Sequence, residues 1–274
     1  MATITMKPFK TPELFLECSN ISPDVFAGKS PSEISKLEVR EGKIRNELGD
    51  FFEVTGTSGT TAEDTDIVIE GDCSRVKYIG MKMTAGSITL NGNADMYVGG
   101  WMKGGSIHVK GNVDSFCGIA MEGGEIQVDG DAQNYVGCAY RGDWRGMRGG
   151  TIHIHGSAGN DIGTFMLGGT IIIEKNAFIH VSTHAEGGTV IIKGDVQGRV
   201  GGQMVKGDIY VLGDVTYMLP GFKEIGQVDK TIAGQDITFR HFIGDLGERH
   251  PKKKGQEIYG NLFLRASSPS GIPQ

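Results

Sequence analysis

The chain reads as an all-β protein, a parallel β-helix solenoid of about eight coils with non-repetitive N- and C-terminal flanks. Three observations predict this. A 19-residue unit recurs from Asp66 to about Gly226. Each unit opens on a short alternation of branched aliphatic residues, and glycine punctuates it at fixed places. One short apolar face per unit cannot bury itself, so neighbouring units must stack.

The units are plainest from Ser87: "SITLNGNADMYVGGWMKGG", "SIHVKGNVDSFCGIAMEGG", then "EIQVDGDAQNYVGCAYRGDWRGMRGG", which carries seven additional residues. An upstream unit from Asp66 has two extra residues, and a degraded last one starts at Asp208. The second position holds Ile67, Ile88, Ile107, Ile126, Ile152, Ile171, Val190 and Ile209; the fourth runs from Ile69 to Val211 and is equally apolar. That alternation is a strand with one buried face, so Ile126 points inward between Ile107 and Ile152 while Gln127 points out. A sixth-position glycine precedes Asp, Asn or Ser in most units, which predicts a turn needing positive φ and capped by carboxylates such as Asp72, Asp131, Asp195 and Asp214. A second apolar point (Val98, Cys117, Val136, Ile162, Val181, Val200) and a Gly-Gly corner complete most units. Stacked coils would rise ~4.8 Å each, with inward Ile, Val and Leu forming ladders. A leucine-rich repeat would need Leu/Asn consensus positions that are missing. In the fifth unit Lys175 and Ser182 stand where glycine is expected, which predicts a local departure in coil geometry.

This places the solenoid at 66–226, an N-terminal extension at 1–65 and a C-terminal flank and tail at 227–274. In the extension, Ser30, Pro31 and Glu33 spell a capped short helix. Beyond the repeat, "RHPKKKG" clusters basic residues and "SSPSGIPQ" reads as a loose tail. The flanks would cap the solenoid ends or reach partners.

Composition narrows the function. Glycine is the outlier at 44 of 274 residues, but only 8 prolines and no three-residue period exclude collagen. A net charge of −6 argues against a nucleic-acid or membrane-surface binder. Neither a signal peptide nor a long apolar span is visible, so a cytoplasmic protein is expected. The four cysteines, Cys18, Cys73, Cys117 and Cys138, show no CxxC spacing, which disfavours a zinc or iron–sulfur site and disulfides. His108 and His153 are outward but two coils apart, roughly 10 Å, too far to share a metal; His180 and His184 make no convincing ligand pair. No phosphate loop, nucleophile elbow or activated Cys–His pair occurs. No catalytic, cofactor-binding or metal residue is therefore assigned.

Two surface features suggest a partner interface. The inserted stretch crowds Tyr140, Arg141, Asp143, Trp144, Arg145 and Arg148 into one protruding loop, the residue types that anchor interfaces; the competing reading is a self-packed loop with an Arg145–Asp143 ion pair. In addition, the outward third position turns apolar at Ile172, Ile191 and Tyr210, where either a partner or the folded-back C-terminal flank must cover it.

The Gly-Gly-bounded repeats resemble the GXGXG domain shared by the large glutamate synthase subunit and by the C subunit of formylmethanofuran dehydrogenase. "SPDVFAGKS" (22–30), "LGDFFEVTG" (48–56), "MTAGSITLNGNADMYVG" (83–99) and "YRGDWRGMRGGTIHIHG" (140–156) are similar to the latter family over nearly the whole chain. The resemblance implies a right-handed β-helix, acting as a non-catalytic structural subunit of a cytoplasmic complex in methanogenic archaea. That complex reduces CO2 and fixes it on methanofuran. It implies partners: a subunit bearing a molybdenum- or tungsten-pterin, a dinuclear-zinc amidohydrolase-like subunit and ferredoxin-like iron–sulfur subunits. No cofactor is expected in this chain. The alternative is the C subunit of a formyltransferase/hydrolase complex in methylotrophic one-carbon metabolism; a free-standing β-helix lyase would want a secretion signal and a charged groove on a sheet face.

Overall fold

A computed structural model describes residues 2–232, 234–244 and 259–266; the basic cluster at 249–254 and the tail at 267–274 lie outside them. The described chain is almost wholly β, dominated by one thirteen-stranded sheet. At its centre, strands Thr65–Ile69, Ser87–Leu90, Ser106–Val109, Glu125–Val128, Thr151–Ile154, Thr170–Ile173, Glu186–Ile192 and Lys206–Val211 pair in parallel, each with the strand one unit away. Register is the predicted one: Ile126 faces Ile107 and Ile152, and all three are buried. Gln127 is partly exposed on the outer face.

The flanks enter this same sheet. Ala2–Pro8 pairs in parallel with Thr65–Ile69, and Gly260–Arg265 with Lys206–Val211. Ile4 and Met6 thus become the first rungs of the two inward ladders, and Leu262 and Leu264 the last. Antiparallel strands close the ends: Phe52–Gly56 on one side, and the hairpin Lys223–Ile232/Gln235–Gly244 on the other. Each buried aliphatic rung contributes roughly 1.5–3 kcal/mol.

Two further columns fill the core beside the strands. Cys73, Ala94, Val113, Ala132, Ala158 and Ala177 bridge in series, and Met83, Met102, Met121, Met147, Met166 and Met204 are buried ahead of the glycine corners. Thioethers suit such irregular space because they are unbranched and flexible. In the N-terminal extension, helix Pro31–Ser35 forms with the full capping box expected of Ser30 and Glu33.

Three local expectations are corrected. The sixth-position glycines from Gly92 onward do not have left-handed φ; they are required because the coils touch. A β-carbon on Gly111 would lie 2.5 Å from Asn93 Oδ1 and 2.6 Å from the Gly92 carbonyl oxygen. Positive φ belongs to the second glycine of each corner, such as Gly105 at 80° and Gly124 at 85°. Asp72 does cap its own turn, accepting from Ser74 Oγ at 2.7 Å, but later Asx residues bond across units instead: Asn112 N–H donates to Asn93 Oδ1 at 2.9 Å, Asp131 N–H to Asn112 Oδ1 at 2.8 Å, and Asp214 N–H to Asp195 Oδ1 at 2.8 Å. The fifth unit departs less than expected: Ser182 is buried and takes left-handed backbone at φ 56° and Lys175 N–H donates to Gly156 O at 3.2 Å, while Ala177–Ile179 forms an additional strand paired with Val196–Gly198 and the register shifts between Glu186 and Thr189.

A candidate interface around the inserted loop

The eleventh position of each unit, just ahead of the second apolar point, builds a column that sequence reasoning missed. Tyr78, Tyr97, Phe116 and Tyr135 occupy it, with φ between 67° and 69°. Left-handed backbone is costly for bulky residues, on the order of 1–3 kcal/mol each. Here it brings rings of successive units face to face. Successive ring centroids stack 4.8–4.9 Å apart with interplanar angles of 17° or less, which offsets part of the strain. The signal was present as an aromatic repeating with the unit, but only four units carry it. Beyond Tyr135 the same column becomes Asp161, His180 and Arg199, with His180 Nδ1 3.5 Å from Asp161 Oδ1 and Arg199 donating to His180 Nε2 at 3.2 Å. Burial pushes the Asp161 carboxyl up, while the neighbouring His180 pulls it the other way.

Beside this column runs a second, at the fifteenth position: Trp101, Ala120, Ala139, Phe165, His184. The inserted loop departs after Ala139. Gly146 N–H donates to Phe165 O at 2.8 Å and Met147 N–H to Gly137 O at 3.0 Å, which returns the chain to the coil. Tyr140, 46% exposed, leans back on Trp101 with centroids 5.3 Å apart. Trp144 is 52% exposed and carries the Arg145 guanidinium 5.7 Å from its ring centroid. Arg145 donates to both carboxylate oxygens of Asp143, at 3.0 and 3.3 Å, so the ion pair of the competing, self-packed reading does form. The Arg145 guanidinium bond is the main reason the Asp143 carboxyl sits below its ordinary range. Arg148 reaches one coil down to Glu122 at 2.9 Å. Arg141 is exposed and has no carboxylate partner among the described residues. Between Tyr135, Ala139 and Phe165 the loop edge encloses a groove of about 270 Å³.

The second predicted patch is covered differently. Tyr210 is buried, its ring stacked on Phe263 at 4.6 Å and edge-on to Phe239 at 5.6 Å, and Ile191 packs against the same cluster. The chain's own C-terminal strands therefore cover these two. Ile172, one rung earlier, is partly buried and not part of that cluster.

On the outer face, residues two positions apart on successive coils pair diagonally. His108 Nε2 lies 2.9 Å from Asp129, and His153 Nε2 2.7 Å from Glu174, which also takes Lys193 at 2.8 Å. Burial opposes ionisation of Glu174, yet Lys193 and His153 hold its carboxyl below the usual range. Among the described residues, no group of three or more His, Cys, Asp or Glu side chains is placed to hold a metal ion. All four cysteines are buried free thiols, and burial pushes Cys73 and Cys117 up to about 12. No helix among the described residues is long and apolar enough to cross a membrane.

Fold and surface together define an all-β protein of stacked glycine-rich units that displays an aromatic and arginine-bearing loop. No family model matches the chain. Over 96 residues it is 47% identical to the C subunit of tungsten-containing formylmethanofuran dehydrogenase 2 of Methanothermobacter wolfeii, covering 35% of this chain and 36% of the relative. The same length is 49% identical to its counterpart from Methanothermobacter marburgensis, with the same coverage of both chains. It is 47% identical to the C subunit of molybdenum-containing formylmethanofuran dehydrogenase 1 of Methanosarcina barkeri, covering 35% of this chain and 32% of the relative. The chain thus matches about a third of the length of these curated relatives, and they bear the same family name as the resemblance read from the sequence. Among solved structures, a chain of the formyltransferase/hydrolase complex (FhcABCD) from Methylorubrum extorquens, in complex with methylofuran, superposes with a TM-score of 0.84 at 26% identity, covering 96% of this chain and 99% of that one.

Proposed function

We propose that the chain is the C subunit of a formylmethanofuran dehydrogenase, a non-catalytic structural subunit of the complex that reduces CO2 and fixes it on methanofuran. The observation that carries this is the 47–49% identity to the C subunits of the tungsten and molybdenum forms. On this reading the chain winds as a right-handed parallel β-helix over 66–226, with 1–65 and 227–274 as flanks. It contributes surface, not reactive groups. Its partners carry the chemistry: a molybdenum- or tungsten-pterin subunit for CO2 reduction, a dinuclear-zinc amidohydrolase-like subunit for formyl fixation and iron–sulfur subunits for electrons, all in the cytoplasm of a methanogenic archaeon. The inserted loop (Tyr140, Arg141, Asp143, Trp144, Arg145, Arg148) and Ile172 face those partners, while Ile191 and Tyr210 support the sheet from within.

A second reading, the C subunit of a formyltransferase/hydrolase complex, is favoured by the full-length superposition on the FhcABCD chain. The lower identity there, 26%, ranks it behind. Affinity purification of the tagged chain from its native host decides between them. The first reading expects molybdenum or tungsten with the complex and oxidation of formylmethanofuran by an artificial electron acceptor. A metal profile without either element, together with formyl transfer alone, would establish the second.

A further inference from the structure

The groove beside the inserted loop, about 270 Å³, is large enough to take an aromatic ring. In the fifteenth-position column, Trp101 and Phe165 are separated by Ala120 and Ala139, two places where a small residue leaves the column open. Tyr140 leans across the coil that carries Ala120 to meet Trp101 at 5.3 Å. At Ala139 the loop residues Tyr140, Arg141 and Asp143 line the edge of an open space. What remains is the groove of about 270 Å³, walled by Tyr135 and Phe116 on one side and Phe165 on the other. Its walls are rigid. Phe116 and Tyr135 stack 4.8 Å apart, and Phe165 is backed by the His184 ring at 4.8 Å and 6°. Tyr135 remains 39% exposed although it sits at the end of a ring stack. The rim carries Arg141, whereas Arg145 and Arg148 of the same loop are already paired with Asp143 and Glu122.

Resting on the reading of this chain as an assembly subunit, we propose that the groove receives an aromatic side chain of a partner subunit, flanked in that partner by an Asp or Glu that pairs with Arg141. The inserted ring takes the vacant place between Tyr135 and Phe165, where offset stacking and desolvation both favour it. The carboxylate supplies the planar, bidentate acceptor that a guanidinium recognises best. Because the walls are already ordered by coil stacking, little side-chain freedom is lost on docking.

The test uses the complex recovered with the tagged full-length chain. A photoreactive benzoylphenylalanine in place of Tyr135 should cross-link to a partner peptide in which Phe, Tyr or Trp stands beside Asp or Glu. Ala139→Trp, which fills the groove from its own side, and Arg141→Glu should each lower partner affinity by about tenfold or more, with Arg141→Lys intermediate. Thermal unfolding of the isolated variants checks that the chain remains folded; if Ala139→Trp does not fold, the exposed Arg141→Glu and the cross-link carry the decision. Wild-type recovery of partners by Arg141→Glu, or a cross-link confined to this chain, to a second copy of it, or to a partner segment lacking the ring–carboxylate pair, overturns the groove proposal alone. Failure of the unmodified chain to recover any partner subunit overturns the assembly reading as well.

Discussion

Gly111 and Asn93 illustrate how two residues on different coils constrain each other. The Asn93 side chain accepts the Asn112 amide, and in doing so occupies the space that a β-carbon on Gly111 would need. The same arrangement recurs where Asn112 crowds Gly130, Asp131 crowds Gly156 and Asn176 crowds Gly194. Asx at the seventh position of one coil thus demands glycine at the sixth of the next. The exception supports the rule. Ser157 is shorter, its Oγ accepts the Asn176 amide at a longer 3.4 Å, and Lys175 is tolerated there. Ser157→Asn should accordingly destabilise the protein, and adding Lys175→Gly should recover stability with a favourable coupling of about 1 kcal/mol or more. A denaturant-melt double-mutant cycle with additive effects would refute the coupling. The cysteines give a second prediction at this scale. With Cys73 and Cys117 held as neutral thiols until about pH 12, iodoacetamide near pH 8 should label neither in the folded chain. The ordinary thiol range returns on unfolding, so rapid labelling in denaturant is expected; equal rates in both conditions would contradict the burial.

At the scale of the element, the strands were legible and the bends were not. Alternation placed Ile107, Ile126 and Ile152 inward because a two-residue period leaves no other register. Ile126→Asp should therefore cost more than about 3 kcal/mol, since it buries a charge without a partner. Gln127→Ala removes a single exposed hydrogen bond to Asp129, 3.2 Å long, and should stay within about 0.5 kcal/mol. Equal losses in urea melts would mean that the register is shifted by one residue. The bends resisted prediction because glycine has two uses, left-handed backbone at Gly105 and close approach at Gly111, and composition does not separate them. The ring column was hidden for a related reason. Tyr97 and Phe116 stand just before the apolar points Val98 and Cys117, and nothing local in the sequence shows that left-handed φ turns them into a stack. That the flanks would cap the ends was expected, but not that they do so by supplying end rungs, since Ala2–Pro8 meets its partner strand more than fifty residues later.

For the whole molecule, the inserted loop is an addition to a scaffold that closes without it. In the preceding unit Ala120 is followed directly by Met121; in the unit with the insertion Ala139 and Met147 hold the equivalent places. Met147 is fully buried and its amide bonds to Gly137, so the coil resumes its register immediately after the excursion. Deleting 140–146 would join Ala139 to Met147 and recreate the ordinary unit, at the loss of the Gly146–Phe165 hydrogen bond and the Tyr140–Trp101 contact. Both are peripheral to the aliphatic ladders that supply most of the burial. The shortened chain should therefore unfold within a few degrees of the full-length one while losing its partners, because Trp144, Tyr140 and Arg141 leave together and central aromatic or arginine anchors are worth about 2 kcal/mol or more each. Calorimetry of the isolated chain and quantitative recovery of partner subunits from cells expressing either form measure the two effects separately. A deletion that assembles as well as the full-length chain would move the interface away from this loop, and one that fails to fold would make the loop part of the scaffold.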